Sequence, residues 1–162
     1  MTSEHVEVRL ALSVLARKIK QTSAEMNGQN LANAIYGLHA MDIRHEEVRA
    51  VFSSLAHKLV ATTKQLSGLD VAMTLFGLRS FSSESPEIRV ILGALVYKIK
   101  NNADLELQMA DLTMAIVGVL QTTPWIRDDF LAVLAEKTPG MTYLKPSDPS
   151  SNSTDDNVSS TS

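Results

Sequence analysis

The sequence predicts an all-α fold: an α-solenoid of about three helix-hairpin repeats, followed by a capping helix and a disordered C-terminal tail. Three observations carry that reading: self-similarity at a period of about 40 residues, helical spacing of apolar residues within each copy, and helix-breaking residues at every join. When residues 5–44 are set against 45–84, His5, Glu7, Val8, Arg9, Ser13, Leu15, Ala16, Lys18, Thr22, Gly28, Ala32, Gly37 and Leu38 all meet identical residues 40 positions on. A third copy runs from Glu87-Ile88-Arg89 through Leu95 and Lys98 at the same offset, then slips by one residue to match Asp111, Met114 and Gly118. One insertion near Asn101 to Glu106 accounts for the slip.

Each copy divides into two helical segments. In the first, Val8, Leu12, Leu15 and Ile19 form one apolar stripe, and the same slots hold Val48, Phe52, Leu55 and Leu59, then Ile88, Leu92, Leu95 and Ile99. The second segments, Leu31-Ile35-Leu38, Val71-Leu75-Leu78 and Leu112-Ile116-Val119, follow the same rule, with Tyr36, Phe76 and Val117 adding a second apolar face. A helix that is apolar on two sides is expected to pack on two sides. The joins hold Asn27-Gly28 and Ser67-Gly68, and the inter-repeat turns hold Asp42 and Ser82-Ser83-Glu84-Ser85-Pro86, residues that cap or stop helices. Pro86 and Pro124 suit a first helical turn. The expected organisation is a repeat domain over 5–137 (repeats 5–44, 45–85 and 86–123, cap 124–137). A Ser/Asp-rich disordered tail over 138–162 follows, because from Lys145 on there is almost nothing to bury.

Composition narrows the functional classes. Of 162 residues, 44% are hydrophobic, enough for a continuous core; 15 Lys and Arg against 18 Asp and Glu give a net charge of −3, so no bulk cationic field draws nucleic acid or membranes. The absence of Cys removes disulfides, thiol nucleophiles and Cys-based zinc sites together. No apolar run approaches the roughly 20 residues that span a bilayer, so no membrane partner is expected.

Several positions invite a functional reading. Gly37, Gly77 and Gly118 lie inside the second helices, where glycine costs roughly 1 kcal/mol against alanine; close helix approach is the expected compensation. The triplets Glu7-Val8-Arg9, Glu47-Val48-Arg49 and Glu87-Ile88-Arg89 open the first helices, and Lys18, Lys58 and Lys98 close them. Glutamate first and lysine last both suit the helix dipole. Arginine in a first turn does not, so Arg9, Arg49 and Arg89 serve either inter-repeat ion pairs or a ligand. At 100° per residue the arginine and lysine columns flank the stripe on opposite sides, so one groove uses one column. At the start of the second helices, Asn27, Asn30, Asp70 and Asp111 stand where a modular reader would place base-contacting side chains, and where ordinary caps also stand. His5, His39, His45 and His57 show no recurring metal-ligand spacing. No nucleophile–base pair, phosphate loop or facing carboxylate pair occurs, so the sequence predicts no enzyme, cofactor, metal or small-molecule substrate.

The segments Asn27-Gly28-Gln29-Asn30-Leu31-Ala32-Asn33-Ala34-Ile35-Tyr36-Gly37-Leu38 and Val71-Ala72-Met73-Thr74-Leu75-Phe76-Gly77-Leu78 resemble the Leu-Ala-Asn-x-Leu-aromatic-x-Leu helix of octotricopeptide-type repeats, and related repeats occur in FAST-kinase-like and RAP-domain proteins. The resemblance covers about residues 5 to 137. It implies a non-catalytic module that binds single-stranded RNA in the processing, stability or translation of mitochondrial or plastid transcripts. The chain shows no targeting sequence, which leaves a cytoplasmic location open. On this reading one basic column, Arg9-Arg49-Arg89 or Lys18-Lys58-Lys98, holds phosphates, and Asn27, Asn30, Asp70 and Asp111 sample bases. The alternatives are a protein-binding scaffold of armadillo or HEAT type, and an inactive fragment of a longer array.

Overall fold

In the computed structural model, residues 4–120 and 124–141 are described, and among them the chain is all-helical, with seven α-helices and no strand. These are α1 (Val6–Gln21), α2 (Gly28–Gly37), α3 (Glu46–Ala61), α4 (Gly68–Leu78), α5 (Pro86–Lys100), α6 (Met109–Val119) and α7 (Pro124–Glu136). Most of the predicted tail, 142–162, lies outside the described residues.

Local chemistry sets the boundaries. Pro86 occupies the first turn of α5, where its missing N–H costs nothing. Asn27 caps α2 by accepting from the Asn30 amide at 2.8 Å. Ser67 and Asp70 cap α4 reciprocally: the Asp70 amide donates to Ser67 Oγ at 3.2 Å, and the Ser67 amide donates to Asp70 Oδ2 at 2.9 Å. In α6 the Gln108 amide donates to Asp111 Oδ2 at 3.4 Å. The one-residue slip of the third copy is taken up between α5 and α6, where the join spans 101–108 against 22–27 and 62–67 in the earlier copies. That longer join is pinned rather than looped out: Asn102 is buried and donates to the Leu66 carbonyl at 3.1 Å, and the Leu107 amide donates to the Lys137 carbonyl at 3.0 Å.

Helices of like position pack on one another. α1 lies against α3, α3 against α5 and α5 against α7, while α2 lies against α4 and α4 against α6. First helices thus form one row and second helices another, joined by contacts of α2 with α3 and of α6 with α7. The apolar stripes meet in the core: Val48, Phe52, Leu55 and Leu59 of α3, and Ile88, Leu92, Leu95 and Ile99 of α5, are each at most 2% exposed. Leu31, Ile35, Val71, Leu75 and Leu112 close over them from the second row. In α1 the same stripe is only half covered, with Leu12 buried but Leu15 46% exposed. The letters are equivalent; the neighbours are not.

The glycines of the second row explain how its helices approach so closely. A Cβ on Gly77 would stand 2.8 Å from Tyr36 Cα, and one on Gly118 would stand 2.3 Å from the Leu75 carbonyl oxygen. Both contacts are with backbone, which cannot rotate away. A Cβ on Gly37 would meet nothing within 4 Å. The close approach expected of all three therefore holds at Gly77 and Gly118, because only these two have a second helix beside them on that side.

The α1–α2 and α3–α4 loops are tied to each other as well. The Glu25 carboxylate accepts from the Thr63 amide, from Thr63 Oγ1 at 2.8 Å and from Thr62 Oγ1 at 3.0 Å. The Thr63 amide contributes most to holding its pKa down to about 2, and the two hydroxyls add to it. An acid with a depressed pKa in the folded state gives stability that is present above its ordinary value and lost as pH falls toward the folded value. Stability is therefore expected to fall between about pH 4.5 and pH 2 more steeply in the natural chain than in Glu25→Gln, as read by urea titrations at successive pH values.

Candidate nucleic-acid interface

The lysine column is engaged within the fold. Lys58 Nζ donates to the Thr22 carbonyl at 2.5 Å and Lys98 Nζ to the Thr62 carbonyl at 2.7 Å. Thr22 and Thr62 are the C-caps of α1 and α3, so each ammonium sits on the negative end of the preceding first helix. Lys137 repeats the contact with the Asn102 carbonyl at 2.9 Å, just beyond α5. No helix precedes α1 among the described residues, and there Lys18 Nζ makes no hydrogen bond or ion pair. Lys58 and Lys98 stand at the ends of their own helices and serve the end of the neighbouring one. A charged hydrogen bond of this kind contributes about 1.5 kcal/mol. Lys98→Met is expected to lower stability by about that amount in chemical denaturation, whereas Lys18→Met leaves it unchanged.

The arginines divide. Arg9 Nε lies 3.9 Å from Glu47 Oε1, an ion pair between α1 and α3. Arg49 instead donates to the carbonyls of Arg44 at 2.7 Å and Ile43 at 3.3 Å, and Arg89 to that of Glu84 at 3.3 Å. Both thus tie down the turn that leads into their own helix. Arg127 Nε lies 3.5 Å from Asp128 Oδ1.

Of the residues at the start of the second helices, Asp70 is buried by its cap and by Gly28, where a Cβ would stand 2.5 Å from Asp70 Oδ2. Asp111 Oδ2 stands in the same way 2.9 Å from the Cβ position of Gly68. Asn27 and Asn30 remain exposed. The structure therefore brings together caps and helix seats at Asp70 and Asp111, and open amides at Asn27 and Asn30.

One cluster has only a packing face as its sequence signature. Tyr36 and Phe76 are half-buried, with ring centroids 6.2 Å apart and planes within 17°. The His39 ring lies 5.3 Å from that of Tyr36, and the Arg79 guanidinium carbon sits 4.0 Å above the Phe76 ring. His39 and Arg79 occupy equivalent positions 40 residues apart, so α2 and α4 each present an aromatic ring followed three residues on by a nitrogen-bearing side chain. The aromatic beside Gly37 and again beside Gly77, with Val117 beside Gly118, was the available signal. The rest of this row is poor in charge: α2 holds no acidic or basic residue, and α4 and α6 each hold one, the capping aspartate. Leu69, Met109, Val117 and Leu120 are 41% to 66% exposed along it.

Elsewhere, Glu4, Asp42 and His45 bring one ligand atom each within 4.8 Å of the others. They are already engaged: the Arg44 side chain, with help from its amide, holds Asp42 down to about 2, and His45 Nε2 lies 3.7 Å from Glu4 Oε1. Between α1 and α3 a groove of about 500 Å³ is lined by charges of both signs, Arg17 and Lys20 with Glu46 and Glu47. Among the described residues no helix is long and apolar enough to cross a membrane.

These features define an all-helical protein whose helices pack in two rows, the second of them charge-poor and partly aromatic. No family model, curated protein or solved structure matches the chain.

Proposed function

We propose that the protein is a non-catalytic helical-repeat module of the α-solenoid type that binds single-stranded RNA along its second-helix row. The observation that carries this reading is the aromatic pair Tyr36 and Phe76, one in each of α2 and α4, each with a polar or cationic partner in His39 and Arg79. Single-stranded RNA exposes flat base faces that stack on such rings, and each stacking contact contributes about 1–3 kcal/mol. Asn33, exposed on α2, offers an amide donor and acceptor to base edges. The resemblance to octotricopeptide-type repeats supports the same ligand and, with it, a role in organellar RNA processing, stability or translation in mitochondria or plastids.

The internal bonding of Lys58, Lys98, Arg49 and Arg89 refines the expected energetics. With these cations on carbonyls, few phosphates are neutralised, and affinity comes mainly from stacking; the salt dependence is correspondingly shallow. Fluorescence anisotropy with labelled mixed-sequence single-stranded RNA at low salt is expected to give saturable binding, weakened at least fivefold by Tyr36→Ala or Phe76→Ala. Replacing Arg9, Arg49 and Arg89 together is expected to lower the melting temperature and leave the salt slope as it was. No binding at low salt contradicts the reading.

One observation favours a second reading, a scaffold for an extended protein segment: the exposed apolar side chains Leu69, Val117 and Leu120 on a row almost without charge. A partner recovered equally before and after nuclease treatment supports that reading instead.

A further inference from the structure

We infer that the α1–α2 flank is a docking face for a further helix pair of this same repeat type. The inference rests on the repeat reading proposed above and not on the RNA ligand. The internal interfaces define what such a face needs, because α3–α4 already docks on α1–α2 and α5–α6 on α3–α4.

Toward its predecessor, α3–α4 presents Glu47 to Arg9, Ser54 to the Ala16 carbonyl, Lys58 to the Thr22 carbonyl and Gly77 to the Tyr36 backbone. The same slots 40 residues earlier hold Glu7, Val14, Lys18 and Gly37. Three of the four residues are retained, and each lacks what its counterpart has. Among the described residues Gly37 has open space where a helix backbone would lie, Lys18 Nζ has no carbonyl to donate to, and Glu7 is exposed. Val14 is 47% exposed where Ser54 is 7%, and Leu15 is 46% exposed where Leu55 and Leu95 are fully buried. Asn30 and Ala34 stand in the slots of Asp70 and Thr74, small enough for close approach.

The opposite end of the stack differs, and this decides the occupant. Gly28 and Gly68 each make room for a carboxylate of the following repeat, but the equivalent position in α6 is Met109, 66% exposed. Ala32 and Ala72, both buried, correspond to the exposed Thr113. The far flank of α6 is therefore filled by larger side chains, and the other acceptor flanks of the chain are already occupied internally. A second copy has no matching face to offer. The fitting occupant is a repeat with glycine at the start of its second helix, alanine four residues on, an arginine in the first turn of its first helix to meet Glu7, and a C-terminal carbonyl there to receive Lys18.

An extended chain with residues 45–84 duplicated directly ahead of His5 tests this without RNA. The duplicate supplies Gly68, Ala72, Arg49 and the Thr62 carbonyl. Expected are one cooperative thermal transition several degrees above that of the natural chain, and at least tenfold slower amide exchange in α1. Gly37→Leu is expected to abolish that gain in the extended chain while leaving the natural chain's Tm within about 2 °C. A separate transition for the duplicate with unchanged exchange in α1 overturns the inference, as does an equal loss from Gly37→Leu in both chains. Concentration-dependent association of the natural chain in sedimentation, relieved by Gly37→Leu, also overturns it by assigning the face to a second copy.

Discussion

Gly118→Ala is expected to destabilise the protein by about 3 kcal/mol or more, with Gly77→Ala close behind and Gly37→Ala neutral or slightly stabilising. Helix propensity alone predicts the opposite sign for all three, because alanine is the better helix former by up to about 1 kcal/mol. What reverses the sign is the neighbour. The added methyl at Gly118 meets the carbonyl group of Leu75, with 2.3 Å to the oxygen and 2.4 Å to the carbon, and at Gly77 it meets Tyr36 Cα at 2.8 Å. Neither helix can yield locally, so α6 must back away from α4, or α4 from α2, and the buried contacts of Leu75 and Ala115 loosen with them. Gly37 has no such neighbour. Urea denaturation of the three single variants checks the order, and a stabilising effect at Gly118 would show that the second row is not packed as described.

Phe52→Ala is the second large effect, a loss of about 3–5 kcal/mol. Phe52 is fully buried at the centre of α3, and its ring meets that of Phe81 edge-on, with centroids 4.8 Å apart at 71°. Truncation leaves a cavity bounded by helices of both rows, which cannot all collapse into it. Its counterpart Leu12 lies at the rim of the core on α1, so Leu12→Ala is expected to cost less than half as much. Denaturant midpoints of the two variants, with unchanged slopes, give the comparison directly.

The same contrast explains how far the sequence could be read. Periodicity placed the stripes, because Val48-Phe52-Leu55-Leu59 and Ile88-Leu92-Leu95-Ile99 obey helical spacing whatever lies beside them. It could not distinguish Leu15 from Leu55 or Gly37 from Gly77, since exposure at the edge of a stack depends on which neighbours are present. Caps were legible in Ser67 and Asp70 because a capping box acts within four residues. The lysines were legible as helix ends but not as inter-repeat ties, whose acceptors Thr22 and Thr62 lie 36 residues away. Arg9, Arg49 and Arg89 shared one sequence context and two open readings. In the fold Arg9 makes an inter-repeat ion pair, whereas Arg49 and Arg89 bind the turns before their own helices. Tyr36 and Phe76 were legible as apolar; that they stack on each other and stay half-open required the second row to be assembled.

Photocrosslinking of the full chain to 4-thiouridine-substituted single-stranded RNA, with the attached peptides mapped by mass spectrometry, tests the proposed function most directly. Crosslinks are expected at Tyr36, His39 and Phe76, and are expected to disappear together in the Tyr36→Ala, Phe76→Ala double variant while its melting curve stays cooperative. Crosslinks confined to Arg17, Lys20 and His57 on the first-helix row, or none above background, would contradict the account.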